Sequence, residues 1–330
     1  MSQYRPHSTT GHEPALGGDG ERLSGHEPLL GGARRAEADL TRVYALVDTD
    51  DAFQRRQIID FARRLGQTGL YARELVQIIP PHARQKVGNW RGSFTLTQRR
   101  RAIDALGELG GVESLGALLA AMADSTYDIR AAAERALKAI SARLDPLELK
   151  RSKGLKALVG TLGSPSLAAR KMAARILAAS PADVVLGPLL ADGLISDEWA
   201  ARRESAWALG QLGDPRATSR LIAALDDQHA AVRAMAAWAL GRLDAPVAVP
   251  YLIKQFTDRD ETARAAAVEA LGTHLARMSS LDSQFVKLIN LLVVVVEKDR
   301  EAAVRHAALD ALAATHAPEA RAALAELLKK

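Results

Sequence analysis

Few residues of this chain have the types and spacing that chemistry needs, and those that do point to recognition. Cysteine is absent from all 330 residues, which excludes disulfides, thiolate metal sites and a cysteine nucleophile. Histidine and glutamate adjoin at His12-Glu13 and His26-Glu27. Both pairs lie in a duplicated octet, GHEPALGG at 11–18 and GHEPLLGG at 25–32. Ligands on so pliable a backbone lack the fixed geometry a metal requires, so no metal, cofactor or catalytic residue is assigned. A short motif used twice would raise avidity for a partner; the alternative is duplicated low-complexity sequence that binds none. Phosphate-binding loops, dinucleotide glycine motifs, zinc motifs and nucleophile elbows do not occur.

Two sets of residues suit binding. Trp207 and Trp238 stand at equivalent places, flanked by Arg203 and Arg242, and Arg135 and Arg175 take the same place upstream. Tryptophan and arginine are the side chains most enriched where binding energy concentrates, and they would suit a protein partner. The second set is basic and aromatic: Arg84, Lys86, Trp90 and Arg91, then Arg99, Arg100 and Arg101. No acidic residue occurs between Glu74 and Asp104. Cations interleaved with rings suit phosphates and bases.

The elements that must position these residues come from a repeat. Taking an arginine as zero, one pattern recurs at Arg55, Arg99, Arg130, Arg170, Arg202, Arg233, Arg264 and Arg305. Seven residues later stand Ala62, Leu106, Leu137, Leu177, Leu209, Leu240, Leu271 and Leu312. The steps are 44, 31, 40, 32, 31, 31 and 41 residues, so three joints carry insertions. Each unit holds two amphipathic helices, as in Leu221, Ile222 and Leu225 followed by Val232, Ala236, Ala239 and Leu240. A single pair cannot hide both faces, so the units must stack. Five residues after each arginine stand Asp60, Asp104, Arg135, Arg175, Trp207, Trp238, Glu269 and Asp310. That column lies one residue off the apolar stripe and is expected to edge the concave face.

Aspartate precedes the arginine by six residues at Asp124, Asp227, Asp258 and Asp299. At these points the sequence resembles HEAT repeats of the short type named after phycobilisome lyases, over about residues 38–330. The resemblance implies an all-α solenoid, a right-handed superhelix of about eight helical hairpins. It also implies a hydrogen-bonded ladder between adjacent repeats, here Asp124, Arg130, Asp227, Arg233, Asp258, Arg264, Asp299 and Arg305. Thr49, Ser93, Ser164 and Ser196 replace the aspartate elsewhere, and there a hydroxyl is expected to cap the helix. Deoxyhypusine hydroxylase has similar repeats but binds iron through His-Glu pairs on its helices. Here the helix offers only Arg305-His306-Ala307.

Residues 1–36, rich in Gly, Pro, Ser and His, are expected to be a disordered tail, and 37–330 the solenoid. Leu70–Thr97 reads as a connector, Leu281–Lys298 as an enlarged first helix, and Pro318–Lys330 as a capping helix with a polar outer face. The apolar run Leu288–Val296 is too short to span a bilayer. No secretory signal is recognised, so a cytoplasmic protein without membrane insertion is expected. Residues 1–180 carry a net charge of +8 and 181–330 of −3, so one end attracts anions. These readings converge on a non-catalytic scaffold that binds a protein partner. Nucleic-acid or polyanion binding through the basic half is the alternative, and a bilin-lyase-like or DNA-glycosylase-like enzyme the second alternative. No catalytic aspartate can be matched to the tryptophans for the last.

Overall fold

The structure, a computed structural model, describes residues 41–80, 84–87, 90–243, 245–279, 281–327 and 329. Residues 84–87 and 90–92 are described by backbone alone. The tail at 1–36, with both octets, lies outside the described residues. Val43–Lys330 forms one unit.

Helices follow the arginine register. Residues 41–48 (α1) precede α2 (Ala52–Arg64), and α3 (Thr68–Val76) precedes α4 (Leu96–Leu109). Next come α5 (Leu115–Ala121) with α6 (Tyr127–Ser141), and α7 (Pro146–Arg151) and α8 (Lys153–Thr161) with α9 (Leu167–Ala179). The regular body runs α10 (Ala182–Pro188), α11 (Trp199–Leu212), α12 (Thr218–Ala224), α13 (Ala230–Leu243), α14 (Val249–Lys254) and α15 (Glu261–Leu275). It closes with α16 (Phe285–Lys298), α17 (Ala302–Ala314) and α18 (Pro318–Leu327). All eight arginines sit in the first turn of a second helix: α2, α4, α6, α9, α11, α13, α15 and α17. The fold is an all-α solenoid.

Within the second helices the residue after the repeated leucine decides how closely neighbours pack. A β-carbon added at Gly210 would meet Ala239 Cα at 2.9 Å, one at Gly241 would meet Ala270 Cα at 2.8 Å, and one at Gly272 would meet Ala311 Cα at 2.9 Å. Only glycine opposite alanine permits that approach. Consequently α11, α13, α15 and α17 lie directly on one another, whereas the first helices of the same units meet far less.

Three expectations need correction. The stretch Leu70–Thr97 is not simply a connector: α3 buries Tyr71, Ala72 and Leu75 and packs on α4. It is followed by a two-stranded antiparallel hairpin, β1 (Arg84–Val87) and β2 (Trp90–Ser93), in register Arg84 with Ser93. Helix α16 begins at Phe285, leaving Leu281 exposed in a preceding turn. Thr49, Ser164 and Ser196 do not cap the helix itself. Each hydroxyl accepts the N–H two residues on, from Asp51, Ser166 and Glu198 at 3.2, 3.2 and 3.3 Å. They close the turn as the aspartates do, and the residue after the turn takes the cap position. α18 packs on α16 and α17 through Ala320 and turns its charged residues outward.

Candidate interaction surface

In seven of the eight repeats the arginine first ties down its own turn. Nη1 donates to the carbonyl six residues back: Arg55 to Thr49 at 2.8 Å, Arg130 to Asp124 at 2.8 Å, Arg170 to Ser164 at 2.7 Å, Arg202 to Ser196 at 2.8 Å, Arg233 to Asp227 at 2.8 Å, Arg264 to Asp258 at 2.9 Å and Arg305 to Asp299 at 2.8 Å. That bond fixes the guanidinium plane and aims its remaining edge at the following unit. There Arg202 reaches Asp227 through Nε and Nη2 at 2.6 and 2.9 Å, Arg233 reaches Asp258 at 2.6 and 2.7 Å, and Arg264 reaches Asp299 at 2.9 and 3.1 Å. Two parallel N–H bonds to one carboxylate are the strong geometry for this pair. Arg99 varies the theme, giving Nε to Ile79 O at 2.6 Å and Nη2 to Asp124.

The same aspartates accept the N–H two residues on, from Thr126, His229, Asp260 and Glu301. Burial pushes these four carboxyls up. The turn N–H and the arginine donors together outweigh it and hold each below the ordinary aspartate value.

The aromatic column is partly built into the layer. Trp207 and Trp238 are half-buried against the core. The Trp238 ring lies over Gly210 of the preceding unit, with the Arg242 guanidinium 5.5 Å above it. Arg242 Nε also approaches Gly210 O at 3.4 Å. Arg203 does not join the tryptophans: its Nη1 donates to the buried Glu204 at 2.5 Å. Arg135 pairs with Asp104 one unit back at 3.2 Å, and Arg175 is exposed beside a cleft of about 560 Å³ between α6 and α9.

The basic triad divides. Arg99 is buried in the bonds already described. Arg101 donates Nη1 to Val47 O and Asp48 O at 3.0 and 3.1 Å, closing the end of α1, and its Nη2 pairs with Asp50. Only Arg100 of the three is exposed. The nucleic-acid reading therefore loses two of its cations to internal contacts. The side chains of Arg84, Lys86, Trp90 and Arg91 lie outside what is described.

Two features went unread in the sequence. Trp199 stacks on His229 of the next unit, with centroids 4.0 Å apart and planes 2° off parallel. Trp199 opens one second helix and His229 immediately precedes the next, so their place in the register was the available signal. Glu204 is a buried acid at a position where the neighbouring units carry Met or Ala, as at Met172, Met235 and Ala266. Among the described residues no three His, Asp or Glu converge as a metal set would, and no helix is long and apolar enough to cross a membrane.

The repeats match known families. The family model for HEAT repeats matches residues 187–272, and that for the PBS lyase HEAT-like repeat matches 98–124 and 304–330. None of the curated proteins compared matches the chain. Among solved structures, the complex of CpcE and CpcF of phycocyanin lyase from Nostoc sp. PCC7120 is similar at 25% identity and a TM-score of 0.42, over 48% of this chain and 96% of that one. Importin beta is similar at 15% identity and a TM-score of 0.53, over 92% of this chain and 46% of its own. The karyopherin Kap121p, bound to Nup53p, is similar at 13% identity and a TM-score of 0.50, over 84% of this chain and 37% of its own. The last two agree in fold. With the arginine–aspartate pairs and the glycine contacts, the matched repeats make the chain a HEAT-repeat protein with repeats of the phycobilisome-lyase type.

Proposed function

We propose that the chain is a non-catalytic scaffold that holds a protein partner on the concave layer of second helices, at Trp207 and Trp238. The observation that carries this reading is the seat of Trp238. Its ring fills the gap above Gly210 yet remains half-exposed, with Arg242 laid across it. Packing alone is served by alanine or methionine at neighbouring places in this layer. A rigid ring with a guanidinium over it is the composition in which binding energy concentrates. Arg135 and Arg175 extend the same column, the first balanced by Asp104 and the second exposed beside the α6/α9 cleft.

The test is affinity purification from the source cells with the full chain, its Trp238→Ala variant and its Trp238→Phe variant, followed by identification of captured proteins. Trp238→Ala is expected to lose a partner that the parent retains, and Trp238→Phe to recover part of it. If Trp238→Ala instead lowers the melting temperature as a core truncation would, by the equivalent of about 3–5 kcal/mol, with capture falling only in step with unfolding, the ring is structural.

A further inference from the structure

The ladder lacks its carboxylate where Ser93 faces Arg55, and again at two adjacent places, over Arg130 and Arg170, where the arginines are left with an unfilled edge. Arg130 and Arg170 are held like the others, Nη1 donating to Asp124 O and Ser125 O at 2.8 Å each and to Ser164 O and Pro165 O at 2.7 and 3.2 Å. In the regular units the Nε–Nη2 edge of that oriented guanidinium grips the carboxylate of the next repeat. Opposite Arg130 the next repeat offers Ser164, and opposite Arg170 it offers Ser196. Neither edge makes a hydrogen bond to any described residue, and Arg170 Nε is buried without a partner. A buried donor left unmade costs free energy and asks for an explanation.

The surroundings of these two edges are unusual in the same way. The residue three before each of these arginines, which opens the second helix, is large and exposed, Tyr127 at 72% and Leu167 at 49%; Trp199 at 40% and Leu96 at 43% stand likewise before Arg202 and Arg99, whose own edges are filled. In the units after Trp199 the same position holds Ala230, Glu261 and Ala302. Arg130 lies 5.9 Å from the Tyr127 ring, and Trp199 is braced by its stack on His229. No acidic residue occurs between Glu148 and Asp183, a span holding Lys150, Arg151, Lys153, Lys156, Arg170, Lys171 and Arg175. The acid-free run holds Arg170 and the Ser164 turn that faces Arg130, so the gap in the ladder lies beside cations with no acid near them in sequence.

We infer that this turn edge, over Arg130 and Arg170, is a docking site for an extended acidic segment of a protein partner. Its carboxylates take the Nη2 donors of Arg130 and Arg170, and its apolar residues lie on Tyr127, Leu167 and Trp199. The chain's own aspartates are the template for the chemistry, since the same edge binds a carboxylate at Asp227, Asp258 and Asp299. Helices α6 and α9 stand apart around the cleft, so Arg130 and Arg170 are separated by at least one helix-packing distance, on the order of 10 Å. An extended chain covers that in about three residues or more, and a peptide with carboxylates at every third residue offers one at each such spacing. This surface is the edge of the stack, distinct from the tryptophan layer, and it stands or falls separately from the function proposed above.

The probe is a fluorescent synthetic peptide in which Asp and Leu recur at every third residue, titrated by anisotropy against the full chain. Saturable binding is expected. Ser164→Asp with Ser196→Asp would supply the missing internal carboxylates, so it is expected to weaken binding by at least about tenfold while raising the melting temperature. Ser164→Thr with Ser196→Thr keeps the turn hydroxyls and is expected to leave binding intact. Arg170→Gln should weaken the peptide without lowering helix content. Absence of saturable binding overturns the inference, as does a Ser→Asp pair that binds like the parent. Displacement of the peptide by a single-stranded oligonucleotide of equal charge, at equal concentration, overturns it in favour of a general polyanion surface.

Discussion

The arginines of this chain are alike in sequence and unlike in what they hold. Arg233 donates to two carbonyls of its own turn and to both oxygens of Asp258, and both partners of that ion pair are buried. Removing one member of a buried pair strands the other, so Arg233→Ala is expected to cost about 3–5 kcal/mol. Arg170 has only its turn carbonyls, and Arg170→Ala is expected to cost about 1 kcal/mol. Urea denaturation of the two variants checks this, and equal losses would mean that the bidentate bond adds nothing. It is Asp258 of the following unit, and not the Asp227 carboxylate of its own, that Arg233 protects. The 25-residue interval that separates Arg99 from Asp124, Arg202 from Asp227 and Arg233 from Asp258 was open to reading. The six-residue interval within one unit belongs instead to the bond from the arginine to its own turn carbonyl. The ladder carboxyls also set the acid response. Their folded pKa values lie below the ordinary ones, so their contribution is complete above a pH of about 4. It is lost as pH falls through the depressed values. The melting temperature is therefore expected to hold from pH 8 to pH 5 on this account and to drop below about 4, less steeply in Asp258→Asn.

Helices were legible because their apolar stripes and the Leu-Gly pair repeat, and all eight second helices form where the arginine register puts them. Helix α3 was hidden because Pro80-Pro81 and the basic, aromatic residues after it read as loop, although Tyr71, Ala72 and Leu75 sit at helical spacing. The spacing between second helices was also present in the sequence, at the position after the leucine. Gly107, Gly210, Gly241 and Gly272 mark close joints. Lys138 stands there in α6, and α6 and α9 part at that end around the cleft lined by Lys138, Leu144 and Met172. The contact distances make a direct test. Gly241→Val places a branched side chain against Ala270, where even one β-carbon would sit 2.8 Å from Cα. Overpacking of that kind costs about 1–3 kcal/mol. Loss of stability in Gly241→Val, with partial recovery in Gly241→Val/Ala270→Gly, is the expected result by thermal melting. A Gly241→Val variant as stable as the parent would mean that this contact does not set the spacing.

For the whole molecule the consequence is uneven cohesion. A repeat stack is held by nearest-neighbour interfaces, so its stability is close to a sum over joints and each joint can open by itself. From α11 to α17 every joint has a bidentate arginine–aspartate pair and a glycine contact. The joint between α6 and α9 has neither: Ser164 faces Arg130, Lys138 replaces the glycine, and the helix ends diverge. What remains there is a bond from Ser166 Oγ to Met122 O at 3.2 Å and the packing of α5 on α8. This is the weakest joint between α4 and α17, and its turn lies in the acid-free run beside the unfilled arginine edges. Hydrogen exchange followed by mass spectrometry is expected to show amides of α7, α8 and α9 exchanging well before those of α13 and α15. Each joint that lacks a carboxylate grip loses a contribution of roughly 1.5–3 kcal/mol from hydrogen bonds to charged groups, or about one to two decades in opening equilibrium. Filling the gap with Ser164→Asp should slow exchange in α8 and α9 and leave α15 unchanged. Uniform protection along the stack, or a Ser164→Asp variant that alters exchange everywhere equally, would mean that the chain opens as one cooperative body and that the break in the ladder has no mechanical effect.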